Sequence, residues 1–316
     1  MNILFVATEL APHAKGGGLA DVMAALPQAL AKAGHGVSLV VPLHRGLRRS
    51  GEFRRTEAEI EVPGGAEGKV ARIWEGERGG VSLFALERDE YFERAQLYGE
   101  GGVDYPDSLE RFSFLARGAV ELARYLEPTP AVIQVNDWHV GLVPAYVRLL
   151  GLPMKTVCTV HNLGYQGVFS AEDFKKVGLP DGVFRPEGVE FYGKMNWLKG
   201  AIAMADAVTT VSPSYAREIQ EPERGHGLHE VLREHGGKLT GILNGIDMVE
   251  WNPAKDGALK KNFKVGSMAG RVECRAALEK EMGIEPANGR PIFGMVTRLT
   301  KEKGVDLVWA GVGEFP

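Results

Sequence analysis

Lys15-Gly16-Gly17-Gly18-Leu19 follows an apolar run, Ile3-Leu4-Phe5-Val6, and opens into helix-forming sequence. Three consecutive glycines let the backbone approach a ligand closely and turn its N–H groups outward. A helix N-terminus behind them adds partial positive charge and Lys15 a full one, so the stretch can cradle an anion, most naturally a phosphate. A Gly-rich surface turn beside a solvated lysine is the alternative. Polar residues recur at the ends of later apolar runs: Asn136-Asp137-Trp138-His139, His161-Asn162, Ser212-Pro213 and Asn244-Gly245-Ile246-Asp247. Open parallel sheets bind ligands beyond the carboxyl ends of their strands, so these segments and the Lys15 loop would share one rim. Each alone is equally an ordinary turn or helix cap.

The chemistry on offer suits a carbohydrate. Asn, Asp and His side chains supply the mixed donors and acceptors that sugar hydroxyls need, and Trp138 offers an apolar face for a pyranose ring. His161 and Asp137 are the rim groups suited to orienting or moving a proton. Arg298 and Lys303 follow a later apolar run and could face Lys15 across a cleft. Such a pair suits a diphosphate leaving group, with a solvated helix start as the other reading.

The elements that must position these residues alternate along the chain. Short β-branched runs and amphipathic stretches give an α/β fold, a Rossmann-like parallel sheet with helices on both faces. Strands are expected at about Ile3–Ala7, Val37–Val41, Val132–Val135, Thr156–Val160, Ala207–Val211 and Leu239–Leu243. The first helix carries Leu19, Val22, Met23, Leu26, Leu30 and Ala33 on one stripe, kinked at Pro27 and stopped at Gly34. Helices are also expected near 141–150, 196–205 and 213–219. Residues 51–110 read as smaller, partly antiparallel excursions. The expected organisation is a domain over 1–250, a polar hinge over 251–288, and the truncated start of a second βα domain over 289–316, with a strand at Ile292–Val296.

Bulk properties exclude several classes. The chain has 316 residues, of which 44% are hydrophobic and 25% charged, as in a soluble globular protein. A net charge of −4 gives no electrostatic footprint for nucleic acid. No apolar stretch is long enough for a bilayer or a signal sequence, so no membrane partner is expected. Two cysteines, Cys158 and Cys274, make no disulfide framework, and a reducing, cytoplasmic setting fits. The dinucleotide fingerprint fails because Asp21 stands at its third glycine, and a Walker loop fails because Lys15 precedes the glycines. No Asp-x-Asp pair is present to hold a metal on a diphosphate, and His226, His229 and His235 lack a fourth ligand at metal-site spacing.

Taken together, Ala14-Lys15-Gly16-Gly17-Gly18-Leu19-Ala20-Asp21-Val22, Asn136-Asp137-Trp138-His139, Thr159-Val160-His161-Asn162-Leu163-Gly164-Tyr165-Gln166-Gly167 and Thr210-Val211-Ser212-Pro213-Ser214-Tyr215 resemble the bacterial glycogen synthases and plant starch synthases. Asn244-Gly245-Ile246-Asp247, Trp251-Asn252-Pro253 and Thr297-Arg298-Leu299-Thr300 with Lys303-Gly304 are similar to the same family. The resemblance runs in order from residue 1 to about 309. It implies the N-terminal half of a GT-B enzyme, a retaining glucosyltransferase that moves glucose from ADP-glucose to an α-1,4-glucan.

By that resemblance, Lys15, Gly17 and Gly18 would contact the donor phosphates and Asn244 the donor sugar. His161 would hold the transferred glucose, and Asp137 would face the acceptor with Trp138, His139 and Asn162. Arg298 and Lys303 would neutralise the leaving diphosphate, with no metal and no cofactor beyond the donor substrate. The implied partners are ADP-glucose, glycogen and a separate C-terminal-domain chain, because the chain is expected to be inactive alone. The alternatives are a non-catalytic glucan-binding or regulatory fragment, another GT-B nucleotide-sugar enzyme, and, most distantly, a dehydrogenase. One departure is local: the family pattern has Thr after the lysine, where this chain has Gly16.

Overall fold

Along Asn2–Val6 the side chains alternate, Leu4 and Val6 entering one buried layer and Phe5 the other. That two-sided burial marks a central strand with helices on both faces. The computed structural model describes residues 1–64, 68–285, 289–299 and 303–314. It forms two compact units, Met1–Gly245 and Ile246–Pro316.

The first unit is built on a nine-stranded sheet. Its strands, from one edge to the other, are Leu239–Gly241, Ala207–Thr210, Lys155–Val160, Val132–Asn136, Asn2–Val6, Gly36–Pro42, Val81–Glu87, Lys69–Arg78 and Arg54–Val62. All neighbours from Leu239–Gly241 through Val81–Glu87 are parallel. The last two strands pair antiparallel. The expected excursions at 51–110 therefore extend the main sheet, because Val81–Glu87 pairs in register with Gly36–Pro42.

The helix Gly18–Lys32 packs Leu19 and Met23 against Phe5, Leu39 and Val41. It runs unbroken through Pro27, and Gly34 follows at φ +89, the left-handed geometry that ends helices. On the opposite face lie the helices Ser108–Tyr125, Val143–Leu149 and Trp197–Met204, whose apolar residues join Leu4, Val6, Ile133 and Val135 in one core. The sequence reading assigned no helix to Ser108–Tyr125, yet nearly all of this helix is buried. Charges inside its apolar stripe hide it. Arg117 and Glu121 pair at 2.7 Å in the interior, and Arg111, wholly buried, lies over the rings of Phe92, Tyr105 and Phe112.

The second unit contains the helix Gly270–Met282, closed by Gly283 at φ +65, and the short helix Val305–Gly311. The expected strand at Ile292–Val296 does not form, and Phe293 and Val296 are exposed. An extended segment needs a neighbouring strand to satisfy its backbone, and none pairs with it among the described residues. Thr300, residues 286–288 at the end of the expected hinge, and Pro316 lie outside the described residues. Cys158 and Cys274 are both free thiols. No helix among the described residues is long and apolar enough to cross a membrane.

Candidate active site at the carboxyl ends of the parallel strands

The loop after Asn2–Val6 folds back on itself through paired backbone bonds between Leu10 and Ala14, both 2.9 Å. This brings Glu9, 4% exposed, under the glycine loop. Its Oε2 accepts the Gly16 and Gly17 N–H groups at 2.7 and 2.9 Å, and its Oε1 accepts the Tyr98 hydroxyl at 2.6 Å. The glycine loop does cradle an anion, but the anion on two of its N–H groups is the protein's own carboxylate. Gly16 fits this closure closely: a Cβ there would lie 2.9 Å from Glu9 Oε1 and 3.1 Å from the Tyr98 ring, so a larger residue would make the Glu9 side chain shift. Nothing lies within 4 Å of a Cβ placed at Gly17 or Gly18, so the outer side of the loop is open to a ligand. Lys15 is not a bare cation: its Nζ sits 2.7 Å from Asp21 Oδ1, with both side chains about half exposed. Such a pair is worth only about 0.2–1 kcal/mol and yields readily to a better partner.

Tyr98 connects this loop to the next strand end. Burial, then the Glu9 carboxylate, push its phenol well above the usual range, so it stays a neutral donor. Its ring stacks on His139 at 4.7 Å, and His139 stacks on Trp138 at 4.0 Å. The expectation that Trp138 offers an open platform for a sugar is not met. Trp138 is 7% exposed, enclosed by Phe112, Phe169, Trp197 and the backbone of Gly167, where a Cβ would fall 2.2 Å from its ring. Gly167 holds φ +64, and glycine alone meets both demands. His139 is held neutral, its pKa lowered to about 3 by burial and then by Arg111.

Asp137 and His161 come together at the ends of adjacent parallel strands. Asp137 adopts φ +60, an uncommon conformation for a residue with a Cβ. That turn directs Oδ1 at the backbone of the next strand end, where it accepts the His161 N–H at 2.7 Å and the Asn162 N–H at 3.4 Å. The His161 ring is held by Asn136, with Nε2 3.0 Å from Oδ1. Asn162 Oδ1 accepts from Gly164 N at 2.9 Å, and Leu163 N donates to the Tyr215 hydroxyl at 3.0 Å, which fixes the loop after His161. The Ser212 hydroxyl accepts from Tyr215 N at 2.9 Å, so the Ser212-Pro213 strand end is a helix cap.

Burial raises the Asp137 pKa, with Glu9 adding to the shift and the His161 contacts partly offsetting it. A carboxyl that binds its proton more tightly folded than unfolded favours the folded state at low pH and loses that contribution as pH rises through the carboxylate range. Asp137→Asn keeps an acceptor for the two N–H groups and removes the charge. It should therefore gain stability over the wild type at pH 7, with the gain shrinking as pH falls, in urea unfolding curves taken at each pH. A gain that is independent of pH would mean that Asp137 is not strained by burial.

The structure thus joins Lys15, Gly17 and Gly18 through Glu9 and Tyr98 to the segment holding Asp137, Trp138, His139, His161 and Asn162. Asn244 is exposed beyond the strand Leu239–Gly241. Arg298 and Lys303 are exposed residues of the second unit. Sequence reasoning missed Glu9 and Tyr98 as members of the site and gave Asn136, on the shared rim, no role of its own. Asn136 stood inside a recognised motif, Glu9 follows the first strand closely, and Tyr98 carried no local signal.

A family model for the starch synthase catalytic domain matches residues 2–234. The chain is 41% identical over 315 residues to a glycogen synthase of Syntrophotalea carbinolica, covering 98% of this chain and 65% of that protein. It is 42% identical to a glycogen synthase of Anaeromyxobacter dehalogenans, over 99% of this chain and 66% of that one. Among solved structures, the catalytic domain of starch synthase IV from Arabidopsis thaliana, bound to ADP and acarbose, matches with a TM-score of 0.89 and 34% identity. That match covers 99% of this chain and 65% of the solved one, so the chain spans just under two thirds of these relatives' length.

Proposed function

The chain belongs to the starch synthase catalytic-domain family, and from that premise we propose that it carries the acceptor side and part of the donor side of a retaining glucosyltransferase. The reaction is transfer of glucose from ADP-glucose to an α-1,4-glucan. The observation that carries this reading is the Asp137–His161 pairing at adjacent strand ends, linked through Tyr98 and Glu9 to the glycine loop. The ADP and acarbose bound by the Arabidopsis relative support the same choice of ligands.

In this reading Lys15 exchanges its exposed Asp21 partner for a donor phosphate, which approaches over the open side of Gly17 and Gly18. Glu9 already occupies the Gly16 and Gly17 N–H groups, so its negative charge confines the phosphates to that outer side. Asn244 binds the donor sugar, and Arg298 and Lys303 neutralise the leaving diphosphate without a metal ion. His161 contacts the transferred hexose, held in place by Asp137 and Asn136. Asp137 thereby acts on the acceptor side chiefly by fixing the His161–Asn162 backbone. His139 and the Asn162 loop line the acceptor path, with Trp138 buried beneath them.

The test is incorporation of labelled glucose from ADP-glucose into glycogen, by the chain alone and by the chain extended with the C-terminal third of a homologous glycogen synthase. Transfer is expected in the extended form, and His161→Ala should lower it by about 100-fold, the scale of losing one positioned polar group at a reacting centre. Glycogen retention in native gels without transfer in either form would favour the non-catalytic glucan-binding reading instead.

A further inference from the structure

Asn136 closes the strand Val132–Asn136 with its side chain wholly buried. Its Nδ2 lies 3.2 Å from the Val6 carbonyl oxygen, across the parallel pairing of the two strands, and its Oδ1 lies 3.0 Å from His161 Nε2. A carbonyl can only accept, so the amide NH2 must face Val6, because the flipped amide would set two oxygens against each other. Oδ1 is then the atom offered to His161. It too can only accept, so Nε2 must carry the hydrogen. The backbone of His161 is fixed separately by Asp137, whose Oδ1 accepts the His161 N–H at 2.7 Å.

We infer that Asn136 is a positioning residue that commits the His161 imidazole to its Nε2–H form and leaves Nδ1 as the ring's only open hydrogen-bonding atom. The sheet sets the protonation pattern of a candidate sugar-binding histidine: the Val6 carbonyl orients Asn136, and Asn136 orients His161. The consequence for ligands rests on the glucosyltransferase reading. With Nε2 engaged, the neutral ring can only accept from a sugar, so the hexose hydroxyl it meets must be the donor.

The test is long-range 1H–15N spectroscopy of the histidine rings in the full chain, with His161→Gln used to assign the signal among the eight histidines. In the wild type the neutral His161 ring should show a single form, with hydrogen on Nε2 and Nδ1 bare, and an Nε2–H that exchanges slowly with water. Asn136→Leu should give the fast-exchanging average of both tautomers, while the other seven ring signals stay in place and report an intact fold. A wild-type His161 carrying its hydrogen on Nδ1 overturns the proposal with no variant needed. So does an Asn136→Leu ring that remains single and slowly exchanging. These signals need no turnover, so they stand or fall independently of glucosyl transfer.

Discussion

Lowering the pH from 7 to 5 should cost the protein on the order of 2 kcal/mol of folding stability through His44, and up to as much again through His139. Both rings have pKa values lowered from 6.5 to about 3, by burial first and by the Arg111 charge second. In the unfolded chain they take up protons below about pH 6.5, whereas the folded protein refuses them until about pH 3. The unfolded state therefore binds more protons throughout that window, and stability falls as pH falls. At about 1.4 kcal/mol per pH unit, the 1.5 units between 6.5 and 5 give the figure quoted for each ring. His139 is the less deeply covered of the two, and its share is discounted accordingly. Asp137 works in the opposite direction and offsets part of the loss. Urea unfolding at pH 7, 6 and 5 measures the effect, and His44→Gln should flatten the curve. Equal stability at pH 7 and 5 would show that His44 protonates in the folded state without penalty. Against a typical total of about 5–15 kcal/mol, the expected loss is large.

Trp197→Ala should destabilise the first unit by about 3–5 kcal/mol, the range for emptying a buried aromatic site. Trp197 has no exposed surface and opens the helix Trp197–Met204. Its ring lies 4.9 Å from Phe169 and 6.0 Å from Trp138. From Trp138 the stack continues through His139 to Tyr98, and from Tyr98 to the Glu9 carboxylate in the glycine loop. A cavity at Trp197 should therefore loosen the site as well as the core. The comparison is Trp309→Ala, where the ring is 83% exposed and the change should stay within about 0.5 kcal/mol. If the two variants unfold at the same urea concentration, the aromatic stack contributes nothing to stability.

Much of the site was legible because its parts are local. Lys15 with its glycines, Asn136-Asp137 and His161-Asn162 each sit where an apolar strand runs out, and a strand end is visible in a few consecutive residues. The parallel sheet then aligns those ends, as Asp137 and His161 demonstrate. The expected use of each residue fared less evenly. Trp138 is apolar and follows a strand, which is equally true of a sugar platform and of a core residue. The rings of Phe112, Phe169 and Trp197 and the backbone of Gly167, all distant in sequence, make it a core residue. The glycine loop was expected to cradle a ligand's phosphate, yet nothing in Lys15–Leu19 could reveal that Glu9 takes two of its N–H groups.

The sequence by itself determined the alternation of strands and helices, the family, and which strand ends carry polar groups. Those properties depend on periodicity and on neighbours within a few residues. The tertiary structure alone decided which charges are buried and what they face. It placed Arg111 among three aromatic rings, Glu9 on the glycine N–H groups, and Asn136 between Val6 and His161. The physical reason is that desolvation and hydrogen-bond direction depend on atoms brought together from far apart in the chain, so no local pattern encodes them.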